Sequence, residues 1–153
     1  MDVCHTAQIK QYSQRQLGWW LLLLLALFAF RVISQLLVMQ ASISYLPEFE
    51  TWHSSTVPYP ALVACQLLIL IGGALCIWRM FNTQVVGKPK LGVVLYVTGW
   101  IYWSAMFIRM ILGLTLLREV FWFAQTLPAL FHLILANFLM LLGQFHRQIT
   151  VRA

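Results

Sequence analysis

Long, almost uninterrupted runs of apolar residues dominate the pattern of this chain. Four such runs extend over about Leu17 to Ser42, Pro60 to Met80, Leu91 to Leu117 and Thr126 to Phe145. Each run reaches the roughly 20 residues that an α-helix needs to cross about 30 Å of hydrocarbon. The runs do not alternate between apolar and polar positions, as the strands of a membrane β-barrel would. The pattern therefore predicts four transmembrane helices.

Short segments near residues 43–59, 81–90 and 118–125 connect the four apolar runs. Helices that are joined by short connections usually pack as antiparallel neighbours. We therefore expect an all-α protein with one membrane domain, residues 1–153, folded as an up-down four-helix bundle.

The composition excludes the soluble classes of protein. Of the 153 residues, 61% are hydrophobic and only 9% are charged, whereas soluble chains carry about 25% charged residues. Too little polar surface remains for a soluble enzyme or a nucleic-acid reader. The 3 cysteines form no C-x-x-C motif, which argues against a disulfide scaffold and against a thiol oxidoreductase.

The basic residues lie mostly on one side of the predicted spans. Seven of them flank the first run, surround the second connection or follow the last run: Lys10, Arg15, Arg79, Lys88, Lys90, Arg147 and Arg152. The other two connections contain Glu48, Glu50 and Glu119 with a single basic residue, Arg118. The positive-inside rule then predicts cytoplasmic termini. We expect the first helix to stay uncleaved, because apolar residues resume after Arg31 and no clear A-x-A site follows. The sequence contains no N-x-S/T acceptor, which fits a bacterial inner membrane.

Two short matches between the halves of the chain suggest a tandem duplication of a helical hairpin. Residues 30–33 (FRVI) resemble residues 108–111 (IRMI), and the tripeptide at 60–62 (PAL) recurs at 128–130. Parallel repeats of this kind are related by an axis along the membrane normal. Chance similarity between two leucine-rich hairpins is the competing explanation.

A stripe of small residues follows one face of the second predicted span. Ala61, Cys65, Gly72 and Cys76 recur at helical spacing, and such stripes allow helix backbones to approach closely in lipid. We expect this stripe to serve helix packing.

Polar residues from all four spans fall at one depth. Counted from the outer ends of the spans, Arg31, Gln66, Arg109 and His132 lie roughly 6 to 12 Å below the membrane boundary, and Gln35 extends the Arg31 face by one helical turn. An arginine near the centre of a span costs about 2.5 to 3.5 kcal/mol on insertion scales. Two buried arginines in a chain with so few charges therefore require an explanation.

Two explanations remain open. In the first, the arginines form an ion network with the glutamates of the outer connections, and this network only stabilises the bundle. The two sets match three to three in charge: Arg31, Arg109 and Arg118 with Glu48, Glu50 and Glu119. In the second, the guanidinium groups bind an anionic group from outside the chain, because no span contains Asp or Glu and a planar guanidinium matches phosphate and carboxylate.

The second explanation is the basis of our functional hypothesis. Arg31, Gln35, Gln66, Arg109 and His132 would bind the head group of a lipid-like ligand, such as a phospholipid, a polyprenyl phosphate or a quinone-like molecule. Instead of a lipid head group, the same residues would bind the acidic side chain of a partner membrane subunit or of a second copy of this chain. The chain would then be a small accessory subunit or binding protein of the membrane.

A membrane-embedded enzyme or haem protein is the alternative. Glu48, Glu50 and His53 lie in the densest polar segment of the chain, and in this alternative His53 and His132 would ligate a haem. Their spacing matches no catalytic triad, and no metal-binding motif is present. Whether the chain catalyses a reaction, and which cofactor it takes, is left open by the sequence.

Overall fold

A computed structural model of the chain contains four α-helices. They are α1 (Asp2–Gln40), α2 (Tyr59–Asn82), α3 (Pro89–Thr115) and α4 (Thr126–Val151). The structure describes residues 2–40, 58–82, 87–117, 119–120 and 126–151, and within those ranges the side chains of residues 14–39 and 58–147. Across these ranges it contains helices and no strands, which confirms the all-α class that the sequence predicts.

Each helix contains a segment that is long and apolar enough to cross a membrane. The segments are Gln14–Met39, Tyr59–Asn82, Pro89–Thr115 and Thr126–Arg147. The predicted spans begin within three residues of these segments and end within three. The main difference is α1, whose helix extends back to Asp2, because the polar sequence before the span lacks proline and glycine and so does not interrupt the helix.

Proline fixes the starts of α2 and α3. The Leu62 N–H donates to the Pro58 carbonyl at 3.1 Å, and the Gly92 N–H donates to the Lys88 carbonyl at 2.9 Å. Pro89 occupies the first turn of α3, where a missing N–H costs no intrahelical bond and a fixed φ favours the helix. These starts set the register of each helix.

The first hairpin packs α1 against α2 through a few large side chains. The Phe81 ring lies over Gly18 and makes an edge contact with Trp19, with 5.4 Å between ring centroids. Deeper in the membrane, Leu25 lies directly over Gly73. The Gln14 amide donates to the Met80 carbonyl at 2.9 Å. These contacts define one antiparallel register.

The second hairpin packs α3 against α4 through small residues, and its backbones approach more closely. A Cβ at Gly143 would lie 2.6 Å from the Tyr96 nitrogen and 2.9 Å from the Gly92 oxygen. One heptad away, a Cβ at Gly99 would lie 3.3 Å from the Ala136 oxygen. Small residues at seven-residue spacing on both helices therefore allow direct backbone contact.

The two hairpins meet where α1 packs on α4. Leu21 is fully buried there among the largest side chains of the core, which include Ile77, Met80, Phe138, Leu142 and Phe145. The helices thus follow the order α2, α1, α4, α3, and among the described residues α2 and α3 approach each other sparsely at most. Helix α2 therefore packs mainly against α1.

The small-residue stripe of α2 faces away from this packing. Ala61, Cys65, Gly72 and Cys76 are all exposed within the chain, and a Cβ at Gly72 would meet no atom within 4 Å. The helix instead uses the neighbouring Gly73 to approach α1. The expected packing role of the stripe therefore has no counterpart inside the described bundle.

The proposed duplication remains a prediction. Both hairpins are antiparallel, and Arg31 and Arg109 are both buried near the end of the first helix of a hairpin. The matched tripeptides lie in different surroundings, however, because Ala61 is exposed whereas Ala129 is buried. The two hairpins also pack by different means, as described above.

Candidate functional site

Buried polar residues gather at one end of the bundle, where α1 and α3 end and α2 and α4 begin. Counting 1.5 Å per residue from these helix ends places Arg31, Gln66, Arg109 and His132 about 9 to 14 Å into the bundle. The exposed fraction is 6% for Arg31, 0% for Gln35, 4% for Gln66 and 5% for Arg109. We use the name polar cluster for five residues: Arg31, Gln35, Gln66, Arg109 and His132.

Hydrogen bonds join three members of the polar cluster in a chain. The Arg31 Nη1 donates to Gln35 Oε1 at 3.0 Å, one turn further along α1. The Gln66 Nε2 of α2 donates to the same oxygen at 3.3 Å. The structure thus brings together Arg31, Gln35 and Gln66, and the Gln35 oxygen is the shared acceptor between α1 and α2.

Two polar atoms of this chain of hydrogen bonds have no partner among the described residues. They are Gln35 Nε2, which carries two N–H donors, and Gln66 Oε1, which is an acceptor. Both atoms are fully buried. An unsatisfied buried polar group costs about 1 to 3 kcal/mol, so these two atoms destabilise the bundle unless a group from outside the described residues satisfies them.

On the other hairpin, Tyr102 of α3 and His132 of α4 form a hydrogen bond through the tyrosine hydroxyl and His132 Nδ1. The two rings also make an edge contact with 5.8 Å between centroids. Helical periodicity places Tyr102 on the Arg109 face, but the sequence does not reveal which α4 residue lies opposite. Tyr102 therefore joins the site as a residue that the sequence analysis did not assign to it.

The charges of Arg31 and Arg109 converge on this pair. Both guanidinium groups are close enough to Tyr102 and His132 for their charges to act on them. The Arg31 guanidinium also lies 5.7 Å from the centroid of the Phe131 ring, within the range of a cation–π interaction. Phe131, like Tyr102, was not among the predicted site residues, because an aromatic side chain in an apolar run carries no distinct signal.

Of the predicted outer-connection residues, the structure describes Glu119. Glu48, Glu50 and His53 lie outside the described residues, and so does Arg118. Glu119 is exposed. In the described ranges, no three His, Cys, Asp or Glu side chains converge in a way that would hold a metal ion.

The polar cluster contains groups that proteins commonly use to bind anions. It combines two guanidiniums, an amide donor, an amide acceptor and a tyrosine–histidine pair, drawn from all four helices. Guanidinium groups in a water-poor site bind carboxylate and phosphate strongly, because charge-assisted hydrogen bonds gain strength at low dielectric. Amides next to them can fix the orientation of a bound head group.

Comparison with protein-family models, with curated protein sequences and with solved structures finds no match to this chain.

Proposed function

We propose that this protein is a non-catalytic membrane-spanning binding protein or accessory subunit whose polar cluster holds the anionic head group of a lipid-like molecule. The observation that carries the proposal is the pair of buried, unpartnered amide atoms beside Arg31, Gln35 Nε2 and Gln66 Oε1 among the described residues. A site that only stabilised the bundle would gain by replacing these atoms with apolar groups.

The surroundings of the polar cluster support an amphipathic ligand. Its polar groups lie at a depth of about 9 to 14 Å from the helix ends, and apolar surface surrounds them on the exposed faces of all four helices. A head group bound at this depth can keep its acyl or prenyl chains in the hydrocarbon. The acidic side chain of a partner helix is the other anionic occupant that fits.

The distribution of charge supports a location for the site. The exposed basic residues Arg15, Lys88, Lys90 and Arg147 lie at the opposite end of the bundle. By the positive-inside rule that end faces the cytoplasm, so the polar cluster belongs to the outer half of the membrane, and we propose a bacterial inner membrane.

The test compares Arg31→Gln and Arg109→Gln with the matched control Arg15→Gln, which removes the same charge from the opposite end. Each full-length protein is extracted from vesicles of phosphatidylcholine and phosphatidylglycerol in a mild detergent, and native mass spectrometry counts the retained anionic lipids. The two cluster variants should retain roughly 10- to 150-fold less than the wild type, since a hydrogen bond to a charged group contributes about 1.5 to 3 kcal/mol. The control should match the wild type.

Thermal unfolding checks the fold of each variant. If a cluster variant does not fold, stabilisation of the wild type by phosphatidylglycerol relative to phosphatidylcholine decides the question. Equal retention by all four proteins would refute the proposal, as would equal stabilisation by the two lipids. A protein adduct that depends on Arg31 would assign the site to a partner subunit instead of a lipid.

A further inference from the structure

The hydrogen-bond chain at Gln35 fixes the orientation of two buried amides. Gln35 Oε1 accepts from Arg31 at 3.0 Å and from Gln66 Nε2 at 3.3 Å. Turning the Gln35 amide over would place its N–H groups against both donors. Turning the Gln66 amide over would place two oxygens against each other. Arg31 therefore dictates which atom of each amide remains available.

The available atoms are complementary in kind. Gln35 Nε2 presents donors and Gln66 Oε1 presents an acceptor, and both are buried without a partner among the described residues. A phosphate diester supplies acceptors only, so it could satisfy the Gln35 donor but not the Gln66 acceptor. The occupant that satisfies both atoms needs a donor group of its own.

We propose, building on the lipid-binding function above, that the polar cluster recognises a phospholipid head group that carries a hydroxyl beside its phosphate, as a glycerol phosphate head group does. The phosphate lies against the Arg31 guanidinium and accepts from Gln35 Nε2. The head-group hydroxyl donates to Gln66 Oε1. Gln66 is then the residue that determines specificity, whereas Arg31 determines affinity for the charge.

Two lipids of equal charge test this assignment. Phosphatidylglycerol and phosphatidylethanol are both phosphate diesters with one negative charge, but the ethyl group of the second has no hydroxyl. Retention of each lipid by the wild-type protein is measured by native mass spectrometry after reconstitution in vesicles that contain equal amounts of both. We expect a preference for phosphatidylglycerol of roughly 5- to 150-fold, because phosphatidylethanol leaves the Gln66 acceptor unsatisfied.

A substitution at Gln66 locates the preference. Gln66→Met removes the acceptor at similar side-chain length and should bring the ratio of the two lipids close to one. The matched control Gln144→Met changes an exposed glutamine of α4 and should keep the wild-type ratio. A Gln66→Met variant with an unchanged ratio would overturn the assignment.

The wild-type comparison stands even if Gln66→Met fails to fold. Equal retention of the two anionic lipids, with both preferred over phosphatidylcholine, would overturn the hydroxyl assignment and leave the proposed function intact. That result is expected if a water molecule bridges the two amides. Retention of neither lipid over phosphatidylcholine would overturn both proposals. If free glycerol phosphate displaced phosphatidylglycerol, the proposal that a lipid supplies the head group would be overturned.

Discussion

A single methyl group at Gly143 should weaken the second hairpin. The Cβ of Gly143→Ala would lie 2.6 Å from the Tyr96 nitrogen, against at least 3.4 Å in an ordinary contact. Because the neighbouring atoms belong to the α3 backbone, a rotamer change cannot relieve the clash, and α3 must retreat by about 0.8 Å. Overpacking of this kind costs about 1 to 3 kcal/mol.

Helix propensity opposes this cost and has to be separated from it. Replacing glycine by alanine inside a helix stabilises it by about 0.5 to 1 kcal/mol. Gly72→Ala supplies the matched control, since its methyl group would meet no atom within 4 Å. The difference in unfolding free energy between the two variants therefore isolates the steric cost, which we expect at about 1 to 3 kcal/mol.

The assay is unfolding by sodium dodecyl sulfate from mild-detergent micelles, followed by tryptophan fluorescence and circular dichroism. Gly143→Ala should unfold at a lower fraction of the denaturing detergent than the wild type, and Gly72→Ala at the same or a higher fraction. Gly99→Ala should fall between them, because its closest neighbour is the flexible Met140 side chain at 2.6 Å. Coincident unfolding of Gly143→Ala and Gly72→Ala would refute the close approach of α3 and α4.

Two further predictions concern the site and the orientation. Tyr102→Phe should destabilise the protein by about 0.5 to 1.5 kcal/mol, because it removes the hydrogen bond to His132. A double-mutant cycle with His132→Phe should return a coupling energy of that size. A coupling energy of zero would contradict the contact. In a cysteine-free background, Lys88→Cys should react with a membrane-impermeant maleimide only from the cytoplasmic side and Glu119→Cys only from the outer side, since both positions are exposed; the reverse pattern would invert the proposed topology.

The length of the apolar runs was sufficient to predict the class and number of the helices and the bounds of their membrane segments to within three residues, because each run is long enough to have one interpretation. The extension of α1 back to Asp2 lies outside its apolar run. Helical periodicity also placed Arg31, Gln35 and Gln66 near one depth, since a glutamine one turn from an arginine lies on the same helical face. The contact of Gln35 with Gln66 follows from that shared depth once α1 and α2 are antiparallel neighbours.

Contacts between helices were harder to predict. The sequence contains glycine or alanine at seven-residue spacing in both Gly92–Gly99 and Ala136–Gly143, a signal that could have identified the α3–α4 contact. The stripe of α2 from Ala61 to Cys76 looked equivalent but is exposed. Small residues permit close approach without specifying which neighbour approaches, so the choice depends on the packing of the whole bundle.

The unequal packing of the helices has a consequence for how the proposed ligand would leave the polar cluster. Backbone contacts at glycines join α3 closely to α4, whereas α2 packs mainly against α1, for example where Leu25 lies over Gly73. The helix with the weakest packing detaches at the lowest free energy. Since α2 carries Gln66, a small outward swing of that one helix would break the Gln35–Gln66 bond and release what lies beside it, while the rest of the bundle stays assembled.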